Sequence, residues 1–204
     1  MDLGLKGKNI LIIGSAKGVG RQIALAAAAE GANIGLHYRE SEEAVLKVMK
    51  EISDYGVKTA PVKGDIARLQ DVKQIKEILD ENLGSIDFIV NNAGWAQVKP
   101  FFKYKPEEWK REVDICFYGV LNLVHTFMPD MISRNQGKFI NIVGDSARTG
   151  DRNLIISILI FNYYSIFFYL LIFKFSNSQI KMAKQILFNI DARNRMKKGV
   201  DTLA

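Results

Sequence analysis

The chain has 204 residues, 48% hydrophobic and 25% charged, with 4 prolines, a globular composition long enough to bury a core. Its net charge of +6 is spread without any run of Lys or Arg, so it reads as a basic surface and makes nucleic acid an unexpected partner. Cys116 is the one cysteine, which excludes an internal disulfide and points to a reducing, cytoplasmic setting.

Apolar runs and helical patterns alternate along the chain. The N-terminal apolar segment is too short for a signal peptide and is cut off at once by Gly14. It covers Lys8 to Ile13 and predicts a strand buried on both faces. Gly18 to Glu30 is rich in helix formers, and Gly31 ends it. Asn33 to Arg39 predicts a second strand. Ser41 to Tyr55 opens on Ser41, Glu42 and Glu43, a helix start, and carries Val45, Val48, Met49 and Ile52 at helical spacing. Lys58 to Lys63 predicts a third strand, and Leu69 to Leu83 an amphipathic helix with Val72, Ile75 and Leu79 on one face. Ile86 to Val90 predicts a fourth strand. Pro106 to Ser133 predicts a long helix that Pro129 bends or splits, and Lys138 to Val143 a fifth strand. Such alternation implies an α/β fold, a doubly wound parallel sheet in the order 3-2-1-4-5 with helices on both faces.

Between the first strand and first helix lies GSAKGVG, Gly14 to Gly20. A glycine-rich loop is a weak signal alone and a strong one at this strand-to-helix turn. Gly14 suits a tight turn, Gly18 leaves room for a close approach to a pyrophosphate, and Gly20 lets the helix pack on the strand. The helix N-terminus then offers N–H groups and a positive dipole end. Ser15, Lys17 and Val19 fill the same loop.

The spacing of the three glycines resembles the short-chain dehydrogenase/reductase family, although Ile13 stands where the family has threonine. Asn91-Asn92-Ala93-Gly94 after the fourth strand looks like its NNAG motif, and Gly64-Asp65 follows the third strand where the family sets an aspartate on the adenine. Glu108-Trp109 through Gly119-Val120, Met128 to Met131, Gly137-Lys138 and Asn141-Ile142 continue the likeness, which covers about residues 5 to 153. It implies a Rossmann-type nucleotide-binding domain over 1–153. It also implies a nicotinamide dinucleotide held by Gly14, Ser15, Lys17, Gly18, Val19, Gly20, Tyr38, Arg39, Asp65, Ile66, Asn92, Ala93 and Gly94, and a small carbonyl or alcohol as substrate. The second strand ends in His37-Tyr38-Arg39 with no carboxylate at its end; Glu40 comes after it. A guanidinium suits a 2′-phosphate by charge and by paired donors, and Lys17 adds a second cation. The expectation is NADP(H) rather than NAD(H). No metal site is expected; His37 and His125 read as a strand and a helix residue without ligand companions.

The family's catalytic set is a tyrosine acid/base, a lysine four residues later, a serine and an asparagine, which together stabilise an alkoxide-like oxygen while hydride moves. The asparagine position falls on Cys116, read as a packing residue, and the serine position on Gly144, with Ser146 a substitute only if the loop shifts. The tyrosine position falls near Ser157 and its lysine near Phe161. No tyrosine in the chain is followed four residues later by lysine. Tyr169 and Lys174, five apart, do not share a helix face, and Tyr163, Tyr164 and Tyr169 read as aromatics of an apolar helix. The expectation is weak cofactor binding without dehydrogenase turnover. The family's last strands are also missing, which leaves a sheet edge open and makes the family's homo-oligomer doubtful here.

Residues 154–204 form an atypical tail. Leu154 to Phe173 holds no charge, glycine or proline and is long enough to span a bilayer. From Leu154 to Ile190 there is no Val, Gly, Pro, Thr, Asp or Glu, whereas 15 of the 16 glycines fall at or before Gly150. This shift reads first as a frameshift, an unspliced intron or a wrong gene boundary. A helix packed on the sheet is the second reading. A membrane anchor is the third, because the basic residues that follow would place the C-terminus in the cytoplasm and the nucleotide domain on the other side.

Overall fold

A computed structural model describes residues 3–144, 153–157 and 159–160. It holds a five-stranded parallel sheet in the order β3-β2-β1-β4-β5. The strands are β1 (Asn9–Ile13), β2 (Asn33–Tyr38), β3 (Thr59–Lys63), β4 (Phe88–Asn91) and β5 (Lys138–Asn141). The helices are α1 (Gly18–Ala29), α2 (Glu42–Ile52), α3 (Leu69–Asn82), α4 (Pro106–Val113) and α5 (Gly119–Ser133).

Period-two alternation along β1 divides the core. Leu11 and Ile13 join Ile75 and Leu79 of α3 and Leu123 and Phe127 of α5 on one face. Ile10 and Ile12 join Ala24 and Ala28 of α1 and Val45, Val48 and Ile52 of α2 on the other. Each fully buried Leu or Ile contributes about 1.5–3 kcal/mol, so the unbroken apolar run of β1 follows from helices covering both sides. Pro61 sits in β3, an edge strand, where a missing N–H is tolerated.

Element limits differ from the expected ones by one or two residues at most ends. β2 stops at Tyr38, and β5 stops at Asn141 although the Ile142 N–H still reaches the Asn91 carbonyl at 2.8 Å. The long helix is a clearer correction. It does not split at Pro129, which lies inside α5. Phe127 and Met131 on either side of it are buried in the core, and that packing holds the helix across one missing hydrogen bond. The interruption is instead a five-residue π turn, Asp114–Tyr118, between α4 and α5. Gly119 just after it is needed for packing, since a Cβ there would lie 2.7 Å from Ile66 Cδ1.

The continuous helical run Pro106–Ser133 is long and apolar enough to cross a membrane by length and composition. Its apolarity is accounted for by Val120, Leu123, Phe127 and Met131, buried against the sheet. Of the stretch 154–173, only 154–157 and 159–160 lie within the described residues. Residues 155–157 and 159–160 are helical, and Ile156 and Ile160 are buried in the same core as α5. Among the described residues nothing pairs with the outer side of β5, and Ile140, Ile142 and Val143 are exposed.

Candidate dinucleotide site and adjoining cavity

The carboxyl ends of β1, β2, β3 and β4 meet at one side of the sheet. Gly14 leaves β1 at φ 71°, a left-handed conformation that favours glycine. Gly18 has φ 57° and open space where a Cβ would be. At Gly20 a Cβ would collide with the Gly14 carbonyl and lie 2.8 Å from Asn92 Nδ2. α1 therefore seats directly on the loop. Its first turn carries no acidic residue, and its leading N–H groups have no acceptor within the helix. Lys17 and Val19 are exposed beside it, and Ser15 is buried.

Three residues tie the loop and the strand ends around it together. Asn92 donates its backbone N–H to the Ile13 carbonyl at 3.2 Å and its side-chain amide to the Gly14 carbonyl at 3.3 Å. Asn91 joins β4 to β5 through its amide to Asn141 Oδ1 at 2.6 Å and accepts the Ala93 N–H at 3.3 Å. Gly94 is exposed, with nothing within 4 Å of a Cβ position. The third residue is His37. Its Nδ1 accepts the Gly14 N–H at 3.2 Å, and its Nε2 lies 3.0 Å from the Gly64 carbonyl. His37 is 4% exposed, and burial lowers its pKa to about 4, against the Gly64 hydrogen bond and the Asp65 charge, which raise it.

Beyond β2 and β3 opens a second concavity lined by Arg39, Glu40, Lys63, Asp65, Arg68 and Arg111, among others. Arg39 reaches the Glu40 carboxylate at 2.5 Å, both side chains being exposed, so solvent weakens that pair and leaves Arg39 open to an anion. Asp65 accepts the Ala67 N–H at 3.0 Å on one oxygen and Arg111 at 2.7 Å on the other. Burial raises its pKa, but the Arg111 hydrogen bond, the Ala67 N–H and the charges of Arg111 and Arg39 outweigh it, so the carboxyl lies below its ordinary value. Ile66 turns its side chain into the core and accepts the Asn122 amide on its carbonyl at 2.9 Å. Tyr38 is buried among the residues packed under α1 and α2. Lys63 and Arg68 are cations of this concavity that the sequence reading missed. Their positions at the end of β3 and just before α3 were the available signal.

The far end of the site is a cavity of about 290 Å³ lined by Asn91, Gly94, Cys116, Asn141, Gly144 and Ser157, among others. Cys116 lies in the π turn, half-buried, with its Sγ 3.5 Å from the Trp95 carbonyl. Burial pushes its thiol pKa up, with Trp95 opposing and Glu112 reinforcing the shift, so it stays a thiol at neutral pH. Ser157 donates its hydroxyl to Glu112 Oε1 at 2.6 Å. Glu112 is 1% exposed, and among the described residues its Oε2 has no hydrogen-bond partner. Burial raises its pKa, and the Ser157 hydrogen bond and the Gln97 backbone oppose this. Nothing in the sequence reading singled out Glu112, because an acid at one helical position looks like any solvated one. Ser146, Phe161, Tyr163, Tyr164 and Tyr169 lie outside the described residues.

The family model for short chain dehydrogenases matches residues 8–155. The chain belongs to the short-chain dehydrogenase family. It is 34% identical over 152 residues to a 3-oxoacyl-(acyl-carrier-protein) reductase of Staphylococcus epidermidis, covering 72% of this chain and 62% of that one. It is 32% identical over 146 residues to the uncharacterized oxidoreductase YvrD of Bacillus subtilis, covering 72% and 54%. An NAD+-bound xylitol dehydrogenase superposes with a TM-score of 0.72 at 25% identity, over 76% of this chain and 60% of that one. The chain thus spans roughly three fifths of the length of the staphylococcal reductase. Such a family implies a nicotinamide dinucleotide as cofactor, and the cradle fits one: Gly18 is open, Gly20 admits no side chain, and α1 begins without a negative charge.

Proposed function

We propose that this chain is a nicotinamide dinucleotide-binding member of the family that prefers NADP(H), acts in the chemistry of a carbonyl/alcohol pair, and as it stands does not turn over. The observation that supports the cofactor preference most is the concavity at the ends of β2 and β3. There Arg39, Lys63 and Arg68 gather beside a carboxylate, Asp65, already engaged by Arg111. In this reading Gly14 to Gly20 and the start of α1 hold the pyrophosphate, and Asp65 and the Ile66 backbone border the adenine. Asn92, Ala93 and Gly94 lie along the ribose on the nicotinamide side. Arg39, with Lys17, takes the 2′-phosphate.

The bound cofactor supplies hydride; the chain must supply a proton to the substrate oxygen. By spacing, the tyrosine and lysine that do this in the family would fall near Ser157 and Phe161, and neither residue type stands there. Ser157 spends its hydroxyl hydrogen on Glu112, and a serine hydroxyl lacks the acidity of an activated phenol. Cys116, held as a thiol, is a poor proton relay compared with an amide. The second reading, a catalytically silent dinucleotide-binding protein, is favoured by the same Ser157–Glu112 pair. In either case residues 1–153 carry the nucleotide-binding unit, and the helical residues that follow pack on it through Ile156 and Ile160.

Mixing the purified chain with NADPH and a panel of ketones, including a 3-oxoacyl thioester such as the staphylococcal relative's name suggests, tests this directly. The expected result is saturable NADPH fluorescence with no loss of absorbance at the reduced nicotinamide band. Sustained turnover overturns the inactivity, and the absence of any binding overturns the cofactor reading.

A further inference from the structure

His37 is the least expected member of the site. A histidine buried to 4% exposure near the carboxyl end of an inner strand of the sheet carries two polar nitrogens that must both be satisfied. Here one nitrogen meets an N–H and the other a carbonyl. That pattern fixes the tautomer: Nδ1 carries the lone pair toward Gly14, and Nε2 carries the hydrogen toward Gly64. The imidazolium cannot satisfy it, because Nδ1–H would face the Gly14 N–H. The backbone of the same residue adds a second tie, since the His37 carbonyl accepts both the Ser15 N–H at 3.1 Å and the Ser15 hydroxyl at 3.2 Å. One residue of β2 thus holds the first two residues of the glycine loop and the residue just after β3.

We propose that His37 is a positioning residue for the dinucleotide, setting the course of the glycine loop by accepting the Gly14 N–H on a neutral imidazole. This rests on the reading of that loop as the pyrophosphate site. His37 is not among the residues that line the Arg39 concavity or the Cys116 cavity; it acts through Gly14, whose left-handed turn leads to Gly18 and the start of α1. An apolar side chain at 37 leaves the Gly14 N–H and the Gly64 carbonyl without their partner, and the loop has to move to find water. The charged groups around it are consistent with a neutral ring. Asp65, beyond Gly64, favours protonation, but its carboxylate is occupied by Arg111. Arg39 lines the same concavity as Asp65 and its charge acts on that carboxylate, and Asp71 of α3 is engaged by the Asp65 N–H at 2.8 Å. Gly14, Ser15 and the in-register Val62 of β3 bring no charge.

The test uses the full chain with NADP+ as the probe, titrated calorimetrically, together with His37→Leu and His37→Asn. Leucine fills the space without an acceptor, and asparagine restores one at the Nδ1 position. His37→Leu should weaken NADP+ binding roughly tenfold, the scale of one lost buried hydrogen bond, and His37→Asn should recover most of that loss. Nitrogen-15 spectra of the wild-type ring should show the neutral Nε2–H tautomer at pH 7, with or without NADP+. Equal affinity of the leucine variant and the wild type overturns the proposal, as does an asparagine variant no better than leucine. An Nδ1–H tautomer or an imidazolium at pH 7 overturns it too, and that spectrum reads out even if His37→Leu fails to fold. A wild-type chain that binds no NADP+ while showing the Nε2–H tautomer indicts the dinucleotide reading instead, and the loop-setting role toward a cofactor falls with it.

Discussion

At the scale of single residues, the two groups that matter most were the two least visible in the sequence. His37 read as an ordinary strand residue and Glu112 as one acid among many. Nothing in the order of residues shows that a β2 nitrogen meets Gly14, 23 positions away, or that a helix carboxylate meets Ser157, 45 positions away. Their titrations have opposite signs. The folded pKa of His37 lies below its ordinary 6.5, so the unfolded chain binds the proton more readily and stability falls as pH drops from 6.5 toward about 4. Glu112 is raised above its ordinary 4.5, so the folded chain holds its proton longer and stability falls as pH rises past 4.5. Replacing Glu112 by Gln should remove the second slope. Urea denaturation should show the variant more stable than wild type at pH 8, by about 1–3 kcal/mol, and the two converging near pH 4. A wild type as stable as Glu112→Gln at pH 8 means that Oε2 finds a partner in solution.

At the scale of elements, the sequence was most legible where period and punctuation agree. β1 and α1 follow from an apolar run, a glycine loop and a string of alanines, and their limits fall within a residue of the expected ones. Helix α4 begins at Pro106, as its proline predicts. The π turn at Asp114–Tyr118 was illegible, because Pro129 is the louder signal and the turn has no composition of its own. Its effect is to set Cys116 at the cavity, in line with the tendency of such turns to lie at functional sites. Among the described glycines a Cβ has least room at Gly20, where α1 meets the loop and Asn92. Gly20→Ala forces backbone apart there. It should destabilise the fold by about 1–3 kcal/mol in denaturant melts and weaken NADPH binding in the same preparation. A variant with unchanged melting and unchanged binding contradicts the close seat described for α1.

At the scale of the whole molecule, five strands in the order 3-2-1-4-5 and helices on both faces were readable from alternation alone. The family followed from motifs placed at strand ends. The tail was not readable from its composition. Leu154 to Phe173 suggests a membrane by length, but its opening residues Ile156 and Ile160 sit in the core beside α5, because the sheet leaves an apolar surface there. Of the three readings of the stretch, the described part fits a packed helix. The proposed cofactor choice is likewise legible only in the assembled molecule, since Arg39, Lys63 and Arg68 line one concavity only when β2, β3 and α3 are in place. Fluorescence titration of the purified chain with NADPH and with NADH, side by side at neutral pH and repeated with Arg39→Ala, tests the central claim most directly. The account predicts NADPH binding roughly tenfold or more tighter than NADH, the scale of a charge-assisted contact, with Arg39→Ala erasing most of that gap by weakening NADPH alone. Equal affinities in the wild type, or a preference untouched by Arg39→Ala, contradict it.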